Sequence, residues 1–416
     1  AFCTKKVPTS QKIFHKQGRQ FIRFFLSLFK RKNDALILNT YLPKWLELKL
    51  NFSLRQCPQF WQSPIIHPAS LNIEMRTLFK IKSDGYTDFE KFVRDLLPKT
   101  LPICYLEGYS KLRNQAESLP WPTNPKFIFT SNNFDTDEVF KAWTAKKTEQ
   151  KTPYYVGQHG GQYGTNIYIG NEKWPLRKSA DNFISWGWGN KNSNVIPAFI
   201  FKTAGKKQRK KSVKGDLLLI EVYQQHLYGP FDTYHEHGVY FEEQLEFVNA
   251  LSPKLKKNLK VRLHDAWINT SWNDDKRWAD YDSSVCIDPG MISVEKAISN
   301  SRLVVHSYDS TGILETLSMN IPSVCFWHGG LDNHLLPEAK PYYELLRGVG
   351  IIANTPKQAA ETVALYWDDI DKWWGSEEVQ SVRRLFCEQY AKSVNDPVKN
   401  LKDLLCNARN NSVSNV

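Results

Sequence analysis

The chain contains no CxxC pair. Its seven cysteines, Cys3, Cys57, Cys104, Cys286, Cys325, Cys387 and Cys406, are scattered and odd in number. That pattern argues against a disulfide framework and a zinc site, and points to a reducing compartment. Internal repeats and low-complexity tracts are missing too. So is any apolar run approaching the ~20 residues that a bilayer-spanning helix needs. From Ala1 to Asn33 there is no acid, against nine Lys/Arg; the first carboxylate is Asp34. Within that segment FIRFFLSLF (Phe21–Phe29) is short, carries Arg23 and is followed by no small-residue cleavage site, so a signal peptide is not expected. Two readings stay open for it: a helix lying on an anionic membrane surface, or a packed helix with a solvated basic face.

What is present suits a soluble globular protein. The 416 residues are 41% hydrophobic and 24% charged, enough chain for two or three domains. The formal charge of +12 favours anionic partners without choosing among them. The 14 tryptophans and 18 tyrosines suit sugar or base sites as well as cores.

Strand-length apolar runs alternate with segments of helical period, which is the α/β signature. Strands are expected in ALILNTYL (35–42), KFIFTS (126–131), PYYVG (153–157), FISW (183–186) and VIPAFIF (195–201). After the basic run KKQRKKSVK (206–214) they resume in DLLLIEVY (216–223), LKVRLHD (259–265), RLVVHS (302–307) and PSVCFW (322–327). Asp135 is expected to cap the helix DEVFKAWTAKK, and Thr355 and Ser376 to cap two later helices. The expected division is a basic segment 1–33, a first Rossmann-like domain 34–205, a basic linker 206–214 and a second Rossmann-like domain 215–416. A cleft between the two halves, at the carboxyl ends of their strands, is where ligands bind such sheets.

Three clusters carry chemistry. YYVGQHGGQYG (154–164) surrounds Gln158 and His159 with four glycines; glycine admits positive φ and close approach of another molecule, and a tight turn is the alternative. HSYDSTGILETL (306–317) reads as strand, polar loop and helix start, where Ser310, Thr311 and Gly312 offer an anion site and Glu315 a carboxylate for ribose hydroxyls. A simple capped helix is the alternative. YGPFDTYHEHG (228–238) follows a strand, so Asp232 is compatible with a nucleophile, a general base or a helix cap. His235, Glu236 and His237 lack a third ligand at a motif spacing, so no metal is expected. Arg262 and His264 end a strand on the same edge.

NTYLP, YYVGQHGGQYG with FISWGWG downstream, and STGILETL together resemble the bacterial surface-carbohydrate proteins that include the retaining β-Kdo transferases, over nearly the whole chain from Asp34. The resemblance implies a variant GT-B glycosyltransferase: two Rossmann-like halves facing across a cleft, transferring Kdo from CMP-Kdo in lipopolysaccharide, O-antigen or capsule synthesis. It implies Asp232 as nucleophile of a double displacement, which gives net retention as in retaining glycosidases. His159 and Gln158 complete the catalytic set, although a related enzyme can carry glutamate in place of Gln158, and an amide orients but does not transfer protons. Donor contacts are expected at Arg262, His264, Ser307, Tyr308, Ser310, Thr311, Gly312 and Glu315. Gly160, Gly161, Arg177, Lys178 and Trp186 are expected on the sugar or acceptor side.

The implied partners are a CMP-linked acidic sugar and a lipid-linked glycan, with no cofactor, no metal and no nucleic acid. The implied location is cytoplasmic, with peripheral contact at the inner membrane. Two other classes remain open: a non-catalytic binder of anionic glycan or nucleic acid, and a nucleotide-sugar hydrolase.

Overall fold

A computed structural model describes residues 29, 31–59, 69–82, 85–169, 175–189, 193–211, 214–222, 237–264, 267–269, 273–327 and 334–413. It is an α/β protein with two five-stranded sheets. The first runs β1 (Leu36–Leu38), β2 (Ile128–Thr130), β3 (Tyr154–Gly157), β4 (Asn182–Ser185) and β5 (Val195–Pro197) in consecutive order. The second contains β6 (Asp216–Ile220), β7 (Leu259–Arg262), β8 (Cys286–Asp288), β9 (Ser301–His306) and β10 (Ser323–Cys325), ordered β10-β9-β6-β7-β8, with every pairing parallel. Near-continuous apolar strands such as LLLI and LVV are buried on both faces, as a helix-covered parallel sheet requires.

Helices used below are α1 (Lys44–Ser53), α2 (Ile73–Leu78), α3 (Asp88–Thr100), α4 (Tyr109–Glu117), α5 (Glu138–Glu149), α6 (His237–Ala250), α7 (Val294–Asn300), α8 (Thr311–Ser318), α9 (Pro356–Tyr366) and α10 (Glu377–Tyr390). Thr355 and Ser376 cap α9 and α10 as their sequence predicts. Asp135 does not cap α5: the cap is Asp137, whose carboxylate accepts from the Phe140 N–H at 2.9 Å, while Asp135 lies in the single turn Asn133–Thr136. Strands are shorter than their apolar runs. Asn39 and Tyr41 adopt positive φ (46° and 62°) and end β1, and Pro197, with no N–H to give, closes β5. β8 is an edge strand whose Cys286 is exposed and whose Ile287 and Asp288 are half-buried, so no continuous apolar run marks it in the sequence.

The chain forms two compact units, one of residues 1–40, 47–155 and 405–416, the other of 41–46 and 156–404. Arg209, inside the basic run, is fastened in the second unit: its N–H donates to Met319 O at 2.8 Å and its guanidinium to the carbonyls of Ser301, Ile298 and Ser299. Lys207, Lys210 and Lys211 remain exposed. Among the described residues no helix is long and apolar enough to cross a membrane.

Candidate functional site

Read from its edge, the second sheet has the order β8-β7-β6-β9-β10, so the chain reverses direction of winding between β6 and β9. Such a switch point opens a crevice beyond the carboxyl ends of the two strands. β6 leads through Glu221 toward residues 223–236, and β9 through Ser307 to the loop that starts α8. Asp232, His235 and Glu236 lie outside the described residues.

The two strand ends are locked together. Ser307 Oγ donates to Ile220 O at 3.0 Å, which leaves the Tyr240 hydroxyl to donate to Ser307 Oγ at 2.8 Å while accepting from Val222 N–H at 2.9 Å. Ser307 is fully buried, so its hydroxyl builds the crevice wall. Tyr308 is half-buried, and burial pushes its phenol up. Glu221 is buried with one oxygen on Trp278 Nε1 at 2.9 Å; burial pushes its carboxyl up to about 8. Nothing in the sequence marks Glu221, because a carboxylate after a strand reads as solvent-facing.

The start of α8 is built on small groups. Ser310 caps it, accepting from Gly312 N–H at 3.1 Å. His306, the last residue of β9, lies beneath: a Cβ on Gly312 would sit 2.9 Å from its Cε1. Thr316 Oγ1 donates to backbone carbonyls, so His306 Nε2–H donates to Thr316 Oγ1 at 3.1 Å. That leaves His306 Nδ1 as a buried acceptor with no partner among the described residues. Burial pushes the imidazole down to about 3, so it is neutral at pH 7.

The glycine motif lies directly on this helix start. Gly161 N–H donates to Thr311 Oγ1 at 2.8 Å, and Gln162 Nε2 donates to Asp309 O at 2.9 Å. A Cβ on Gly161 would lie 2.7 Å from Thr311 N and 2.8 Å from Ser310 C, and one on Gly160 would lie 3.2 Å from Thr311 Oγ1. The bare positions at 160 and 161 are therefore occupied by the α8 loop. Asp309 is fixed from its other side by His334, whose Nε2 is 3.0 Å from Oδ2, both side chains being buried. His334 is a further element of the site that no motif announced.

Gln158 is fully buried. Its Oε1 accepts from Trp186 N–H at 3.0 Å and Trp188 Nε1–H at 2.8 Å, and its Nε2 donates to Gly160 O at 2.8 Å. The amide thus shapes the loop from inside, and it uses both its donor and its acceptor character to do so. His159 is half-buried between Tyr41 and Tyr163, with ring centroids 5.6 and 5.3 Å away and the Tyr163 hydroxyl 3.3 Å from each ring nitrogen.

Glu315 pairs with Lys202 Nζ at 2.6 Å and lines a cavity of about 590 Å³ with Thr203, Lys206, Ser293 and Lys296. Arg262 is buried, donating to Asp288 Oδ2 at 2.5 Å and Ile292 O at 2.7 Å. His264 is exposed beyond β7. Arg177 is buried with its guanidinium 5.9 Å from the Trp188 ring, Lys178 is exposed and Trp186 is fully buried.

The model of the LIC12162 family transferase matches residues 2–405, and the chain belongs to that family. No curated protein matches. Among solved structures the chain is similar to MurG of Acinetobacter baumannii, at 11% identity and a TM-score of 0.45 over 90% of this chain and 99% of that one. It is also similar to the wall teichoic acid polymerase TagF (H444N, with CDPG), at 10% identity and a TM-score of 0.36 over 70% and 74%. A third similarity is to UDP-GlcNAc 2-epimerase of Neisseria meningitidis, bound to UDP-GlcNAc, at 13% identity and a TM-score of 0.38 over 74% and 82%.

Proposed function

We propose that this LIC12162 family transferase is a GT-B glycosyltransferase that moves Kdo from CMP-Kdo to a lipid-linked surface glycan with retention. The observation that carries the reading is the β6/β9 switch point, where one loop ends in a helix start lined by Ser310, Thr311 and Gly312 above a buried imidazole acceptor. Backbone N–H groups and hydroxyls at such a start suit the single phosphate of CMP. Glu315 accepts from the ribose hydroxyls, with Lys202 holding its carboxylate.

Asp232 follows β6 on the same edge, and its carboxylate is the proposed nucleophile. It bonds to the anomeric carbon as the carbon–phosphate oxygen bond breaks and CMP leaves with that electron pair. The acceptor hydroxyl then attacks the same carbon, gives its proton to a base such as His159, and releases the carboxylate. Two inversions leave the configuration retained. A phosphate monoester leaves as a dianion without protonation, so the site calls for N–H donors more than for an acid. A single phosphate also offers no diphosphate for a divalent metal to chelate. Calorimetric titration with CMP tests the donor assignment: we expect binding that weakens at least tenfold in Glu315→Gln. Equal affinity in the two proteins, or no heat in the wild type, would remove Glu315 from the donor site.

A further inference from the structure

Tyr41 stands in the left-handed region, at φ 62°, where a bulky L side chain crowds its own backbone and glycine or asparagine is the usual occupant. Such a conformation persists only where the surroundings impose it, and positions of this kind gather at functional sites. The surroundings here belong to the second unit, which includes residues 41–46. Leu42 and Leu46 are buried, and a Cβ on Gly205 would lie 3.0 Å from the Trp45 ring and 3.3 Å from Leu46 Cδ1. Pro43 favours extended backbone at Leu42 before it. The segment that follows Tyr41 is therefore seated in this unit, and the tyrosine ring lies against His159, with centroids 5.6 Å apart and planes at 47°.

His159 is held on its other side by a tyrosine that is itself fixed. Tyr163 is buried and stacked on Phe183, with centroids 5.6 Å apart and planes at 22°. Its neighbour Gly164, at φ 73°, fits against the Trp188 ring, into which any side chain at that position would run. The Tyr163 hydroxyl is 3.3 Å from both Nδ1 and Nε2 of His159. The in-plane directions of the two nitrogens diverge, so a hydroxyl equidistant from both is in line with neither. The two tyrosines thus hold the imidazole by ring contact more than by a directed bond from Tyr163. The loop that carries it rests on the start of α8 within the same unit, since one residue further on a Cβ on Gly160 would meet Thr311 Oγ1 at 3.2 Å.

We infer that Tyr41 is a positioning residue, whose ring holds the His159 imidazole in the orientation from which it takes the acceptor's proton. The inference rests on the reading of His159 as that base. A base held in place keeps its nitrogen within hydrogen-bond reach of the attacking hydroxyl. One free to turn loses that geometry and slows the chemical step, while donor binding is left alone. The ring's task accounts for a tyrosine where the backbone suits glycine or asparagine.

The test compares the full chain with Tyr41→Asn and Tyr41→Phe. Asparagine tolerates the left-handed conformation and discards the ring, whereas phenylalanine keeps the ring. CMP release from CMP-Kdo in the presence of glycan should fall at least tenfold in kcat for Tyr41→Asn, with no rise in KM for CMP-Kdo and no fall in Tm. Tyr41→Phe should recover most of kcat. A second readout needs no turnover: carbethoxylation of His159 by diethyl pyrocarbonate, located by peptide mass spectrometry, should be at least fivefold faster in Tyr41→Asn and unchanged in Tyr41→Phe. Wild-type kcat in Tyr41→Asn, a loss of kcat that tracks a loss of Tm, an equal loss in Tyr41→Phe, or equal modification rates would overturn the inference. If the wild type itself turns over no CMP-Kdo, the transfer reading falls instead, and the modification rates alone decide whether Tyr41 holds the ring.

Discussion

Gly161 and Thr311 are 150 residues apart in the chain and in direct hydrogen-bonded contact, Gly161 N–H to Thr311 Oγ1 at 2.8 Å. The space where a side chain would stand at 161 is filled by the Ser310–Thr311 backbone. The glycine motif is therefore the bed on which the start of α8 rests. We expect Gly161→Ala to force the two loops apart, costing about 1–3 kcal/mol, as overpacking does, and lowering both Tm and kcat/KM. Thermal unfolding and donor kinetics measured on the same sample check this. A variant with wild-type values in both would separate the loop contact from function.

Gln158→Glu is a sharper substitution because it changes one atom. The two N–H groups of Trp186 and Trp188 still find an acceptor, but Gly160 O then faces a carboxyl oxygen in place of an amide N–H. A buried acceptor losing its donor costs about 1–3 kcal/mol. We expect a lower Tm at neutral pH and no gain in turnover. A rise in kcat would mean that a carboxylate here does chemistry that Gln158 cannot.

Two buried groups set opposite limbs of the pH–stability profile. Glu221 has its carboxyl raised from 4.5 to about 8 by burial, so the stability it contributes is complete below about 4.5 and is lost as pH rises toward 8. The loss is at most about 1.4 kcal/mol per pH unit. Glu221→Gln should remove it, so that the variant gains on the wild type between pH 5 and 8 in denaturant titrations. Parallel profiles would show that Glu221 ionises in the folded chain near its ordinary value.

His306 is lowered from 6.5 to about 3 by burial. Its contribution is present above about 6.5 and is lost as pH falls toward 3. His306→Gln is expected to flatten the acid limb in that window while retaining a polar side chain against Thr316. Acid titration followed by tryptophan fluorescence measures this, and an unchanged limb would assign acid unfolding to the carboxylates.

The alternation of apolar runs made both sheets legible, because parallel strands buried on both faces need continuous Val, Leu and Ile. The helix caps at Thr355 and Ser376 were equally readable, since Thr-Pro and a Ser followed by acids announce a helix start. The helix start at Ser310, Thr311 and Gly312 was legible, because strand, small residues and helix follow one another in the local sequence. Contacts made across the fold were not. The filling of the Gly161 space by Thr311, the His334–Asp309 pair at 3.0 Å and the tie between Ser307 and Tyr240 join segments far apart in the chain. Arg262 misled for the same reason: at a strand end it looks free for a phosphate, but the neighbouring strand supplies Asp288.

Intact-mass measurement of the protein after mixing with CMP-Kdo tests the proposed chemistry most directly. A double displacement at Asp232 predicts a wild-type species heavier by one Kdo residue, absent in Asp232→Asn and discharged when the glycan acceptor is added. An unmodified wild type that turns over at its normal rate would contradict it.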